Sequence, residues 1–343
     1  MTTAKGPTTT FLAQAARALH ATFLRRPRHR IGAAVARIGY GLWLLALYLQ
    51  SSGIREWVWG DAGPFPHPLF LRYANLADEF SLLTYSASPW LLNALWAAGV
   101  AAALLMTVGL FTRASMLAST ILVWSFHARN PYILDGGDNV GRIVLIFLLF
   151  MDCSAYLSVD AWRGGGRRRV LSPLGNLLHN VALYTVTLQF CVLYLSSSLN
   201  KVTGPLWQNG TALYYVLRTG QYSNPLLGPL LTKSYAFITL ATYATIAVQL
   251  SFPFLVWSRR FRVPIVLAVI GMHLGIAVCM GLVHFSHAMI SSLLLFVPDE
   301  TYRALAARLG RRQTRSAAGR SPRHSRSNGN PEPSSGANAE PTR

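Results

Sequence analysis

What most constrains this chain is the recurrence of apolar runs, each long enough to cross a bilayer. About 20 apolar residues span the roughly 30 Å of a hydrocarbon core. Eight such runs stand out, at about 32–51, 90–110, 115–131, 139–158, 178–199, 235–257, 263–282 and 284–298. In lipid, backbone N–H and C=O groups must be satisfied within the protein, and a helix does this inside one segment. The expected fold is therefore all-α, a polytopic membrane helical bundle of about eight transmembrane helices. The third and eighth runs are short and carry His127, His284 and His287, which suits helices that line an interior. The first run follows the basic cluster Arg25–Arg30 and is long enough to remain as an anchor rather than a cleaved signal.

Composition agrees. The 343 residues are 52% hydrophobic and 13% charged, where soluble domains carry about a quarter charged. A water-soluble enzyme and a disulfide-stapled secreted domain are excluded. Cys153, Cys191 and Cys279 lie in apolar segments without a C-x-x-C and read as small buried residues. The formal net charge of +19 would suit a nucleic-acid binder until the charges are placed. Of the 31 Lys and Arg residues, 23 fall on one side of an eight-span arrangement, six on the other, and Arg37 and Arg142 within spans. The positive-inside rule then sets both termini in the cytoplasm of a multi-pass cell-membrane protein. Charge is explained by orientation, so membrane lipids are the expected partners and no nucleic acid is called for. Residues 1–30 read as a basic cytoplasmic segment, 31–300 as the transmembrane domain, and 301–343 as a disordered basic cytoplasmic tail.

Three polar constellations interrupt the apolar pattern. The first runs from Arg129 through Asn130 and Asp135 to Asp138, Asn139 and Arg142. Pro131 ends a helix, the double glycine turns the chain, and Asp138 or Asn139 is expected to cap the next span. Arg142 lies a turn deeper and is expected to pair with Asp135 or Asp138. Alternatively, this loop offers polar contacts to a substrate or headgroup at the outer mouth. The preceding segment His67–Tyr85 mixes apolar and charged residues, as a surface helix or a lid would.

The second constellation, Ser196–Gly210, holds Lys201 at an apolar, hydroxyl-rich helix end. The chain has 28 Arg and only 3 Lys, so a lysine here is informative. Arginine would serve as a static charge, but only lysine can shed its proton and act as a base. A snorkelling interfacial lysine is the alternative. The third constellation is His273, near the middle of the seventh run, with His284 and His287 at the next turn. An ionisable group at mid-membrane points to function, or to a hydrogen-bonded core histidine. His284-x-x-His287 lacks a third ligand, so no metal is expected. Asp152 and Asp160 are expected to pair with the Arg163–Arg169 loop.

With these motifs in view, the sequence resembles the HTTM (horizontally transferred transmembrane) domain family over about 30–300. That family comprises bacterial relatives of vitamin K-dependent gamma-glutamyl carboxylase and includes the sporulation-delaying protein B group. The resemblance rests on R-N-P-Y-I-L-D-G-G-D-N at 129–139, N-K-V-T-G-P-L-W-Q-N-G at 200–210, and the run from His273 to Phe296. It implies an enzyme in which a lysine before a tryptophan deprotonates reduced vitamin K. Lys201 and Trp207 fall in that place, with one extra residue between them, and His273 matches a histidine of the late span. The family histidine after L-D is replaced here by Asp138-Asn139-Val140, and the lumenal propeptide-binding domain has no counterpart after residue 298.

The resulting expectation is a quinone-dependent enzyme that modifies or matures a secreted peptide. Lys201 and His273 would be catalytic, and a reduced membrane quinone of the vitamin K type would be the cofactor. Arg129, Asn130, Asp135, Asp138, Asn139, Arg142, Trp207, His284 and His287 would bind substrate or cofactor. The alternative is a non-enzymatic membrane partner, immunity protein or transporter.

Overall fold

The computed structural model describes residues 20–165, 170–220 and 224–318, together with 14, 17, 18 and 222. Eight helices follow the eight apolar runs: α1 Arg30–Gln50, α2 Pro89–Val108, α3 Thr112–Arg129, α4 Gly136–Phe150, α5 Pro173–Val202, α6 Tyr235–Leu255, α7 Arg262–Met280 and α8 Val283–Leu294. Among the described residues there is no strand. Five of the eight, α1, α2, α5, α6 and α7, are long and apolar enough to cross a membrane. The protein is an all-α polytopic membrane bundle.

The other three helices, α3, α4 and α8, are shorter or more polar and bury much of their length against their neighbours. Polar groups that lipid would not tolerate are thereby kept inside. α8 packs against α1, α4 and α7, while α6 and α7 leave most of their surface facing outward. Small residues permit the close approach. A Cβ on Gly39 of α1 would lie 2.4 Å from the Ser291 hydroxyl of α8. Nearby, Tyr40 shares a 2.6 Å hydrogen bond with Ser292.

Helix ends gather at two poles. At the basic pole, Arg37 of α1 is fully buried and, among the described residues, forms no ion pair with a carboxylate. Its guanidinium instead donates to Met106 O, Thr107 O and Leu157 O. It thus satisfies orphan carbonyls in the last turn of α2 and sits at the negative end of that helix dipole. Gly109 makes this possible: it ends α2 at φ 71°, and a Cβ there would lie 2.5 Å from the Arg37 guanidinium.

At this pole Asp152 and Asp160, expected to pair with the Arg163–Arg169 loop, also bind other groups, while the Arg163 charge acts on Asp160 as expected. Asp152 pairs with Arg30, and its backbone N–H donates to His179 Nδ1 at 2.9 Å. The chain therefore leaves the helix at residue 150, short of the expected 158. Asp160 accepts the Phe111 N–H (3.0 Å), the Thr112 N–H (2.8 Å) and the Thr112 hydroxyl (2.7 Å), capping α3. Residues 167–169, the other expected partners, lie outside the described residues.

A division falls between Tyr302 and Arg303. The described residues of the unit that starts at Arg303 are helical through Ala318, where disorder was expected from 301. Its run of Ala, Leu and Arg favours helix, and Asp299 and Glu300 suit a helix N-terminus. The expected disorder of 319–343 lies outside the described residues.

Candidate functional site

At the pole opposite the basic loops, the residue spacing of α5 becomes geometry. Tyr194, Ser197, Ser198 and Lys201 recur at three- and four-residue steps and so share one helix face. Lys201 is half-buried. Its Nζ donates to Ser197 Oγ at 2.6 Å and lies 5.2 Å from the centre of the Trp207 ring. Ser197 Oγ in turn reaches Gln249 Oε1 of α6 at 3.3 Å. Two turns deeper, Tyr194 Oη is 3.0 Å from His273 Nε2 of α7. Both residues are buried, and His273 Nδ1 has no hydrogen-bond partner. Seven residues of rise put the lysine and histidine levels about 10 Å apart along α5.

The first turn of α8 separates this face from a second polar group. Phe285 lies 5.5 Å from the His273 ring on one side. On the other it abuts Gly137 of α4, where a Cβ would come within 2.8 Å of the Phe285 Cα. Its neighbour His284 stacks on Trp43 of α1, ring centroids 4.9 Å apart. His284 Nε2 is 3.3 Å from Asp138 Oδ1, and His127 Nε2 is 3.7 Å from the same oxygen. These are ion-pair distances without hydrogen-bond alignment, so the imidazole and carboxylate atoms stay unpartnered in that stricter sense. Among the described residues no group of three or more His, Cys, Asp or Glu is arranged to hold a metal ion.

The structure redistributes the roles expected in the 129–142 loop. Asp135, not Asp138 or Asn139, is the N-cap of α4, and Asp138 completes a reciprocal capping box by accepting the Asp135 N–H at 2.8 Å. Burial followed by the Asp138 charge raises the Asp135 pKa above the ordinary carboxylate value. Arg142 pairs with neither acid: it donates to Asn139 Oδ1 at 2.6 Å and lies over the Trp124 ring. The α4 N-terminus and two imidazoles already claim the carboxylates.

Arg129 and Asn130 are buried and committed elsewhere. Arg129 donates to Phe65 O (2.7 Å) and Gly60 O (2.8 Å) and lies over the Phe70 ring, while Asn130 Nδ2 donates to Val58 O at 2.8 Å. They clamp the segment that contains the helices Arg55–Trp59 and His67–Ala77 onto the bundle. His287 turns to the Gly39 backbone of α1. His273 thus lies on one side of Phe285, and the α4 N-terminus that carries Asp138 on the other.

His127, Trp43, Tyr194, Ser197 and Gln249 complete these groups and were not singled out as site residues by sequence. The 194–197–201 spacing was a usable signal; Trp43 and Gln249 carried none, because they meet the site across helices. Two cavities, of about 30 and 480 Å³, lie at the basic pole, and neither is lined by Lys201 or His273.

Fold and polar interior together define an integral membrane protein with its ionisable groups held between helices. The HTTM domain family model matches residues 25–300, most of the chain, and the protein belongs to that family. It is also similar to the uncharacterized protein YitO of Bacillus subtilis (strain 168), 25% identical over 173 residues, which cover 48% of this chain. The chain spans about half (54%) of that relative's length. No solved structure matches.

Proposed function

We propose that this HTTM-family membrane protein is a quinone-dependent enzyme acting on a secreted peptide, with Lys201 as its base. The observation that carries the reading is the setting of Lys201. Its amine meets a hydroxyl, a carbonyl and an indole face, and among the described residues no carboxylate. A lysine kept as a fixed cation in an apolar bundle is normally paired; one that must shed and regain a proton is better left unpaired.

The donor set suits a reduced quinone of the vitamin K type. His273 offers a buried nitrogen with no partner, and Trp207 an aromatic face. Bound there, such a group would supply a weakly acidic hydroxyl and reducing electrons. Lys201, as the free amine, takes a proton at Nζ, and Ser197 Oγ accepts a hydrogen of the resulting ammonium. Tyr194, donating to His273 Nε2, leaves the imidazole proton on Nδ1, where it is available to a ring oxygen. The basic pole faces the cytoplasm in this reading, and the lysine end faces the compartment of the secreted peptide.

The test is quinone binding and hydroquinone-dependent oxygen uptake by purified protein in nanodiscs. Saturable binding, with uptake abolished in both Lys201→Ala and Lys201→Arg, is expected. Undiminished uptake in Lys201→Arg would remove the base role. One observation favours a second reading, a non-enzymatic membrane partner, immunity protein or transporter: Tyr194 and His273 are buried against each other and the Lys201 amine is already held by Ser197. Under it neither binding nor uptake occurs, and Lys201→Arg retains whatever the protein does.

A further inference from the structure

The smaller cavity at the basic pole is a crevice of about 30 Å³ between the segment before α1, α5 and the α6–α7 connection. Buried Val256 and Phe296 contribute its apolar floor. Tyr184 and Trp257 stack along one side, with ring centroids 6.1 Å apart and planes 12° from parallel. Arg28 and Arg262 bring charge to its rim.

Both arginines are held by neutral partners. Arg28 Nη1 donates to Tyr184 Oη at 3.1 Å. Arg262 donates from Nε to Val256 O (2.7 Å) and from Nη1 to His29 Nε2 (3.2 Å). His29 is oriented by its other nitrogen, 3.0 Å from Leu295 O, so Nδ1 donates and Nε2 accepts; the ring is neutral. Among the described residues neither guanidinium pairs with a carboxylate. The cations that act on Arg262 are Arg28 and Arg259, which repel it. Asp299, which acts on His29, accepts the backbone N–H groups of Arg30 and Ile31.

Two guanidiniums fixed near each other without a counter-charge complement an external anion, and phosphate matches their forked donors best. The surroundings decide which phosphate. Val181, Leu188 and Val192 are exposed apolar residues on the face of α5 that carries Tyr184. From Tyr184 to Val192 this face runs about 12 Å along the helix, a track for an acyl chain that a free phosphate would not use. We propose that this crevice binds an anionic phospholipid, its phosphate held between Arg28 and Arg262 and one acyl chain lying along α5.

The experiment measures lipid retention and thermal stability of the full-length protein in detergent, titrated with phosphatidylglycerol, phosphatidylcholine or inorganic phosphate. Wild type should retain phosphatidylglycerol selectively and be stabilised by it. Arg28→Gln/Arg262→Gln should weaken that retention by about thirty-fold, from the loss of two basic residues at a lipid surface. Arg28→Lys/Arg262→Lys should keep most of it, and it carries the test if the glutamine pair does not fold. Arg113→Gln/Arg163→Gln removes the same charge elsewhere at this pole and should change retention less than threefold. Equal weakening in that control, or no preference over phosphatidylcholine in wild type, would overturn the proposal. Stabilisation by inorganic phosphate equal to that by the lipid would assign the crevice to a free anion and overturn it as well.

Discussion

Replacing Arg129 by methionine separates a clamp from a ligand-binding role. The guanidinium holds two backbone carbonyls, Phe65 O and Gly60 O, and lies over the Phe70 ring. Hydrogen bonds from a charged group contribute about 1.5–3 kcal/mol each, so two give about 3–6 kcal/mol. Removing the cation returns part of its burial cost, which places the expected loss near the lower end, about 3 kcal/mol. Because these contacts anchor one segment, the loss should appear as local opening rather than global unfolding. Hydrogen exchange of peptides covering 55–77 should accelerate about 100-fold at the slow amides, at about 1.4 kcal/mol per decade. Arg129→Lys should fall between, since an ammonium lacks the fork that spans both carbonyls. Exchange within threefold of wild type, or an increase spread evenly over the bundle, would refute the clamp.

Three further outcomes follow from the same geometry. Gly137→Ala sets a Cβ 2.8 Å from the Phe285 Cα, so the α4–α8 contact should lose about 1–3 kcal/mol, read as a lower Tm; an unchanged Tm would mean that this contact is loose. Burial raises the Asp160 pKa, but hydrogen bonds from Thr112 and Phe111 outweigh it and leave the carboxyl below its ordinary value. Its contribution is present above about pH 3.8 and lost as pH falls below that, and Asp160→Asn should cost about 1–2 kcal/mol at neutral pH with a flatter acid limb of the stability profile. Burial, helped by Arg262, holds the His29 pKa below 6.5, so the unfolded chain binds the extra proton first. His29 should therefore make stability rise with pH up to about 6.5, by at most about 1.4 kcal/mol per pH unit, and His29→Gln should flatten the profile by that share in thermal melts; an unchanged slope would refute it.

Much of the fold was legible because lipid leaves the backbone so few choices. Every apolar run became a helix, with ends displaced where a side chain found a better use for the backbone. α4 stops early because Asp152 is needed by Arg30 and His179. α5 starts early because Ser172 caps it and Asn176 and Asn180 bind the segment before α1. The polar residues of the candidate site were legible as exceptions to the apolar pattern, their pairings less so. Tyr194 on the Lys201 helix bonds to His273 and Ser197 bonds to Lys201, whereas the expected Arg142–Asp pair and the Asp138 cap gave way to near neighbours, Asn139 and Asp135, and Arg129 binds carbonyls of the 55–77 segment.

The amino-acid sequence alone determined that this is a multi-span helical membrane protein, because hydrophobic length and the need to satisfy backbone groups act on each segment separately. It also determined which residues had to be special, since an ionisable side chain within an apolar helix requires a partner wherever that partner sits. Tertiary structure alone decided the partners. Arg37 meets the end of α2, Asp138 meets His127 and His284, and Arg129 meets the 55–77 segment, because the distances that govern hydrogen bonds and ion pairs are set by how helices pack, not by spacing along the chain.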